Sequence, residues 1–312
     1  MNKTSNLKLS FCTALFIALI ISSTCFALLP VAQAAEPDIN EETISILNNV
    51  VGLDAKEYNF QLEPSTGGQF LTLPEKEAGA YIFSSNGSLR ASCSFVNNTL
   101  RLLYLSNYEG DLSVKETAVS TVNMAKGFLE RYQSYTGSSF YGQLATMLNS
   151  IDGAKNTTKL SENIKLELRN SDDKIVDYVW TYVDDNGIVA KSKNIVLSYD
   201  QGQLNVFLNN WALYNVVGAP KLTSEEATAI AIETSRNFSY QVSPADNAEK
   251  TITGFKIAPE SLGHAKLSYV NFPNASLARG NDPFTLYPSW YVPLGFDKFY
   301  PGDVAGMTRN LK

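Results

Sequence analysis

Residues able to do chemistry are few in this chain. It holds one histidine, His264, so a zinc site built on two histidines cannot be made within one chain, and no HExxH pattern occurs. A serine-histidine-aspartate triad would have to use His264, which follows Gly263 at the start of an expected strand, and no G-x-S-x-G elbow precedes a helix. Asp184-Asp185-Asn186-Gly187 resembles a calcium loop in composition, but the EF-hand spacing is not met and no bidentate glutamate falls at the required offset. A hairpin turn accounts for it better: Asn-Gly supplies the positive φ angles and the aspartates stay in solvent. Glu225 with Glu226, and Asp172 with Asp173, are chain neighbours that point apart, which makes poor carboxylate pairs for glycoside hydrolysis. No glycine-rich phosphate loop is present. These residues predict no catalytic centre, no metal site and no cofactor.

Aromatic residues are the one excess, at 11%, with 16 tyrosines and 16 phenylalanines. Tyr178, Trp180, Tyr182, Trp211, Tyr214, Tyr287, Trp290 and Tyr291 fall in or beside expected strands, where such rings mostly fill cores and stabilise cross-strand pairs. The sharper alternative is a groove for a peptide or a carbohydrate. On that reading Trp180, Trp290 and Tyr291 are the candidate partner-binding residues, the last two flanked by Pro283, Pro288, Pro293 and Pro301.

The composition sets the compartment. Residues 1–34 read as a signal peptide: Lys3 and Lys8 give a positive start, residues 11–29 are nearly all apolar, and Ala32-Gln33-Ala34 is a small-x-small cleavage site. If left uncut, the same run is long enough to anchor the chain in a membrane. The expectation is therefore a secreted or cell-surface protein, touching the membrane through an uncleaved leader or through a C-terminal anchor lying beyond this sequence. Removing Lys3 and Lys8 from 25 basic residues leaves 23 against 31 acidic, a net charge of −8. With no basic stripe, nucleic acid is excluded as a partner. Cys12 and Cys25 lie in the leader and only Cys93 follows it, so no intramolecular disulfide can form after processing and the core must carry the stability. Asn86, Asn97, Asn156, Asn237 and Asn274 head Asn-x-Ser/Thr sequons and are the candidate glycosylation sites, with Asn86 and Asn156 in the most turn-like settings.

The elements that would position such residues come in repeated order. Asn40 is expected to cap a helix over residues 41–51 that Gly52 ends. A strand follows at 58–62. Residues 63–80, rich in proline and glycine, read as broken by turns. Three alternating runs come next, split by Asn86-Gly87 and Asn97-Asn98, and predict an antiparallel meander. Ser113 with Glu116 makes a capping box, and Ala118, Val122, Ala125, Leu129 and Tyr132 form a helical stripe that stops at Gly137. Residues 141–148 could add a helical turn or two. Strands are then expected at 164–168, 175–183, 187–199 and 204–213. Thr223 with Glu226 is a further capping box, with Glu225 and Glu226 against the positive end of the helix dipole and Ala227, Ile230, Ala231, Thr234 and Phe238 on one face. Strands at 251–257, 265–272 and 285–294 complete this unit, the last a bent or edge strand because of its prolines. A further strand should begin at 307–312, so the last unit reads as incomplete at its C-terminus.

The resulting fold class is α+β: repeated units of one helix packed on an antiparallel β-meander, over residues 35–111, 112–220 and 221–312. LTSEEATAIA, then a strand ending in W-x-V, then a strand closed by Asp-x-Gly resembles the PepSY domain, a cystatin-like α+β module of secreted and cell-surface proteins. The resemblance covers roughly residues 221–306 and, less closely, 113–213. It implies a non-enzymatic binding or regulatory module with a protein or peptide partner, active in peptidase inhibition or chaperoning, that meets its partner through edge strands or loops. A structural or adhesive surface glycoprotein is the alternative, and an extracellular hydrolase comes third, since no base has an evident partner.

Overall fold

Twelve segments are described in the computed structural model of the chain: residues 38–53, 57–85, 87–110, 120–151, 157–171, 174–236, 239–242, 250–253, 256–257, 263–271, 282–295 and 308–311. Ile39–Lys312 forms one compact unit. The fold class is α+β, with a large antiparallel sheet and few helices.

Ten strands build that sheet. They are β1 (Asn59–Leu62), β2 (Thr66–Phe70), β3 (Leu73–Ser84), β4 (Gly87–Val96), β5 (Thr99–Gly110), β6 (Thr157–Ser161), β7 (Ile164–Ser171), β8 (Ile175–Val183), β9 (Val189–Asp200) and β10 (Gln203–Asn209). Their order is β1-β3-β4-β5-β10-β9-β8-β7-β6, with β2 paired to β3. Two meanders therefore meet through their last strands. The expected first and second units, 35–111 and 112–220, do not hold separate sheets: β5 of one pairs with β10 of the other. Local chemistry explains the tight turns. Asn97 and Asn98 both take left-handed φ angles, 50° and 58°, which suits a two-residue hairpin between β4 and β5. Residues 63–80 depart from the expectation of broken turns, because Gly67, Gly68 and Pro74 lie within a β2–β3 ribbon that reverses at Leu71, φ 57°.

Three helices cover one face of this sheet: α1 (Ile39–Ile46), α2 (Thr121–Thr136) and α3 (Phe140–Met147). Helix α1 continues as a π-helical turn, Leu47–Val51, that Gly52 closes at φ 92°. Asn40 is not its cap. The helix starts at Ile39, whose side chain is buried in the core, so tertiary burial sets the boundary. The stripe on α2 holds at Ala125, Leu129 and Tyr132, with Val122 partly buried beside them and Phe128 joining the buried face, and Gly137 stops the helix at φ 71°. The Ser113–Glu116 capping box and Ala118 lie outside the described residues. Phe128 and Tyr132 sit 5.0 and 4.9 Å, centroid to centroid, from Phe207 of β10, and Tyr132 meets Tyr141 of α3 edge-on at 4.6 Å. Burying each such ring contributes roughly 1.5–3 kcal/mol. Two polar tips on this face find partners: Asn209 Nδ2 donates to the Tyr141 hydroxyl at 2.9 Å, and Arg131 Nε donates to Val50 O at 2.7 Å.

A smaller assembly follows at the rim of β9. Strand β11 (Asn215–Val216) pairs in parallel with β15 (Thr285–Pro293), which is flanked by antiparallel β14 (Lys266–Val270) and β16 (Thr308–Leu311). Strand β12 (Tyr240–Val242) pairs with β13 (Lys250–Ile252). Strand β15 is thus central, which overturns the edge alternative of the bent-or-edge expectation, and the further strand expected at the chain's end is β16. Helix α4 (Ser224–Ser235) carries the predicted capping box in full: the Thr223 hydroxyl accepts from Glu226 N at 3.2 Å and Glu226 Oε2 accepts from Thr223 N at 2.8 Å. Its buried face is Ala227, Ala231 and Ser235, packed on Val292 and Leu294, while Ile230 and Thr234 face outward. Ile188 and Ala190 of the β8–β9 region pack with Tyr214, Tyr269, Phe284 and Leu286. Lys193 fixes the linker between them, donating to Trp211 O at 2.7 Å and Tyr214 O at 2.6 Å. Burial pushes its ammonium pKa down. Among the described residues no helix is long and apolar enough to cross a membrane.

Candidate functional site

The meanders are joined by three register pairs: Val206 with Tyr104, Phe207 with Leu103, and Leu208 with Leu102. Past Tyr104 the junction opens, at the point where β10 carries a bulge. Against β9, Leu204 faces Tyr199 and Val206 faces Ser198, so Asn205 is an extra residue with no opposite number. The bulge keeps Leu204 on the core side, with the buried Tyr199, and turns the strand away from β5. Among the described residues no strand pairs with β5 on this side beyond Tyr104. Among the described residues β5 and β10 form no ladder with each other there.

The gap is a cleft of about 450 Å³ that cuts through the sheet, lined by Tyr104 and Ser106 together with the core-side Leu89, Leu105 and Leu204. Its polar wall is Asn107, Asp200, Gln201, Gln203 and Asn205. The β9–β10 turn presents part of that wall, with Gln201 and Gly202 at φ 50° and 82°. One side-chain bond crosses the opening, Asn107 Nδ2 to Gln203 Oε1 at 3.1 Å. The Asn205 Oδ1 atom is buried and has no hydrogen-bond partner. Among the described lining residues, amide and hydroxyl groups and the Asp200 carboxylate offer hydrogen-bonding partners to a ligand. Nothing in the sequence singles out these residues: 200–202 reads as a turn, and a bulge leaves no mark in the alternation of so short a strand.

The predicted site residues lie elsewhere and apart. Trp180 is fully buried under the helices, 6.3 Å from the Tyr178 ring, with its indole N–H unpaired. Its position on the core face of β8 removes it from any partner surface. Trp290 is half-buried against α4 and donates its indole N–H to Leu222 O at 3.0 Å, which makes it a brace for that helix. Tyr291 is half-buried on β15, opposite Lys266 and Asn310. Asn97 is exposed in the β4–β5 turn, while Asn86, Asn156, Asn237 and Asn274 lie outside the described residues. His264 is exposed, and Cys93 is 1% exposed, with its thiol pushed up to about 12 by burial.

Asp184 does not stay in solvent as its turn predicted. Oδ1 accepts from the backbone N–H groups of Asn186 and Ile188 at 2.9 and 2.8 Å, and Oδ2 accepts from the Tyr269 hydroxyl at 2.9 Å. Burial pushes its carboxyl upward, but these hydrogen bonds outweigh that and hold it below the usual carboxylate range. Burial and then the Asp184 carboxylate push Tyr269 up to about 12. This is a joint between the two assemblies. Among the described residues no group of three or more histidine, cysteine or acidic side chains is placed to hold a metal.

No protein-family model and no curated protein matches the chain. Among solved structures it is similar to the Bacillus megaterium YpeB C-terminal domain, at 11% identity over 89% of this chain and 98% of that one. The TM-score is 0.33, a level of likeness that decides nothing about fold or function.

Proposed function

We propose that the chain is an exported, non-enzymatic binding or regulatory module of the cell surface, built from PepSY-like helix-on-meander units, that takes a short extended peptide into the seam between β5 and β10. The opening of that seam after three register pairs carries the reading. A strand entering it would lie between two strands that do not pair with each other there, the physical basis of strand addition. The order of the strands supports the repeat: each meander follows its own helix and runs outward from the seam in reverse chain order. A peptide captured in this way could come from a peptidase, which would make the module an inhibitor.

The test is a titration of the isotope-labelled protein with blocked peptides of strand-forming residues, followed by backbone amide NMR. Binding should shift and protect amides in residues 105–107 and 203–205 together. Peptides that bind only elsewhere, or a display library of extended peptides that yields no binder, would refute the proposal. A peptidase-inhibition assay on the same samples checks the regulatory role. The exposed sequon at Asn97 favours the second reading, a structural or adhesive surface glycoprotein. Mass spectrometry of the protein from its native host would find a glycan there.

A further inference from the structure

We infer that the seam selects an extended peptide bearing a basic side chain directed at Asp200. The inference rests on the peptide-binding reading and adds the chemistry of the ligand.

Two acceptors in the cleft lack a donor. Among the described residues, Asp200, half-buried at the end of β9, is the one charged side chain that lines it, and it forms no ion pair there. Lys174 is close along the sheet, but there it supplies its backbone, its carbonyl accepting from Gln201 N at 2.9 Å. Asn205 Oδ1 is buried and unpartnered. Asn107 and Gln203 already spend one donor and one acceptor on each other. A ligand that completes this wall must therefore bring N–H groups and positive charge. Lysine and arginine side chains carry three and five donors and no acceptor. An acidic side chain would add a like charge and leave both acceptors unsatisfied.

Size agrees with a segment of peptide. Three β10 residues, Gln203 to Asn205, precede the first seam pair, and at roughly 3.3 Å per residue they offer about 10 Å of edge. A cleft of about 450 Å³ lies within the ordinary range for a small ligand site. The chain's net charge of −6 favours approach of a cation.

The experiment compares three blocked pentapeptides, Thr-Val-Xaa-Val-Thr with lysine, alanine or glutamate at the centre, by fluorescence anisotropy and amide NMR. Lysine should bind about tenfold tighter than alanine, and glutamate more weakly than alanine. The preference should shrink as salt is raised and should vanish in Asp200→Asn, whose turn geometry asparagine preserves. Equal binding of all three at the seam overturns the charge selection and leaves the module reading standing. Binding of none overturns both. A lysine preference that survives Asp200→Asn, in a variant with unchanged melting temperature, assigns the cation elsewhere and refutes the role of Asp200.

Discussion

Deleting Asn205 should close the seam. Without the extra residue, Leu204 and Val206 become neighbours in the regular alternation, Leu204 still toward the core and Val206 still toward the open face. Pairing with β5 can then run on in phase, placing Leu204 opposite Leu105 and Gln203 opposite Ser106. Two further antiparallel positions supply about one exchanged pair of backbone hydrogen bonds. At roughly 1 kcal/mol each, that is about 2 kcal/mol of added stability. Loss of the exposed Asn107–Gln203 bond takes back a few tenths, and removal of the orphaned Asn205 Oδ1 returns a similar or larger amount. For a chain of this size the melting temperature should rise by roughly 3–4 °C. Denaturant melts should shift in midpoint with little change in slope, and exchange of amides in 105–107 should slow by about thirtyfold. Peptide binding at the seam should be lost. If the deletion lowers stability, leaves those amides exchanging fast, or spares peptide binding, the bulge is not what holds the strands apart.

Other outcomes follow from the same physics. Trp180→Ala should cost about 3–5 kcal/mol in a denaturant melt, because it empties a fully buried site, without a direct effect on peptide capture. Thr223→Ala should cost about 1 kcal/mol and speed amide exchange in the first turn of α4, with the β5–β10 amides unaffected. Tyr269→Phe should cost about 1 kcal/mol. Because the Asp184 carboxyl is held low in the folded state, its contribution is present above its unfolded value near 3.9 and is lost as pH falls through the folded one. Urea melts from pH 6 to pH 2 should show a smaller acid loss in the tyrosine variant. Tyr269 itself is raised, so its contribution is lost as pH climbs from about 10 to about 12. Native Cys93 should resist a thiol reagent at pH 8 and react at the rate of unfolding, since burial keeps it protonated and out of reach.

What could be read from the chain was local. The Thr223 capping box, the Asn97-Asn98 hairpin and the glycine stops at Gly52 and Gly137 depend on a few adjacent residues, and each stands in the structure. What failed was set by partners distant in sequence. Ile39 draws its helix past Asn40 because the core takes its side chain. Strand β15 is central despite Pro288 and Pro293, since β14 pairs along one side while β16 and the sequence-distant β11 pair along the other. Trp180 and Trp290 share a residue type and a strand-like setting, but one faces inward under α2 and α3 and the other braces α4. The seam was illegible for the same reason. Nothing in the β10 sequence says that its neighbour will be β5, or that one extra residue will part them.

The thin join between the meanders also has a mechanical meaning. Each meander zips up through short hairpins, whereas Tyr104 and Val206 come together only after a loop of roughly a hundred residues has closed. So few rungs, reached so late, make this line the last to set during assembly and the first to part under tension. Force applied across the two sheet edges should open these three rungs first, leaving α2, which bonds Val50 on one side and packs on Phe207 on the other, as the remaining tie between the meanders.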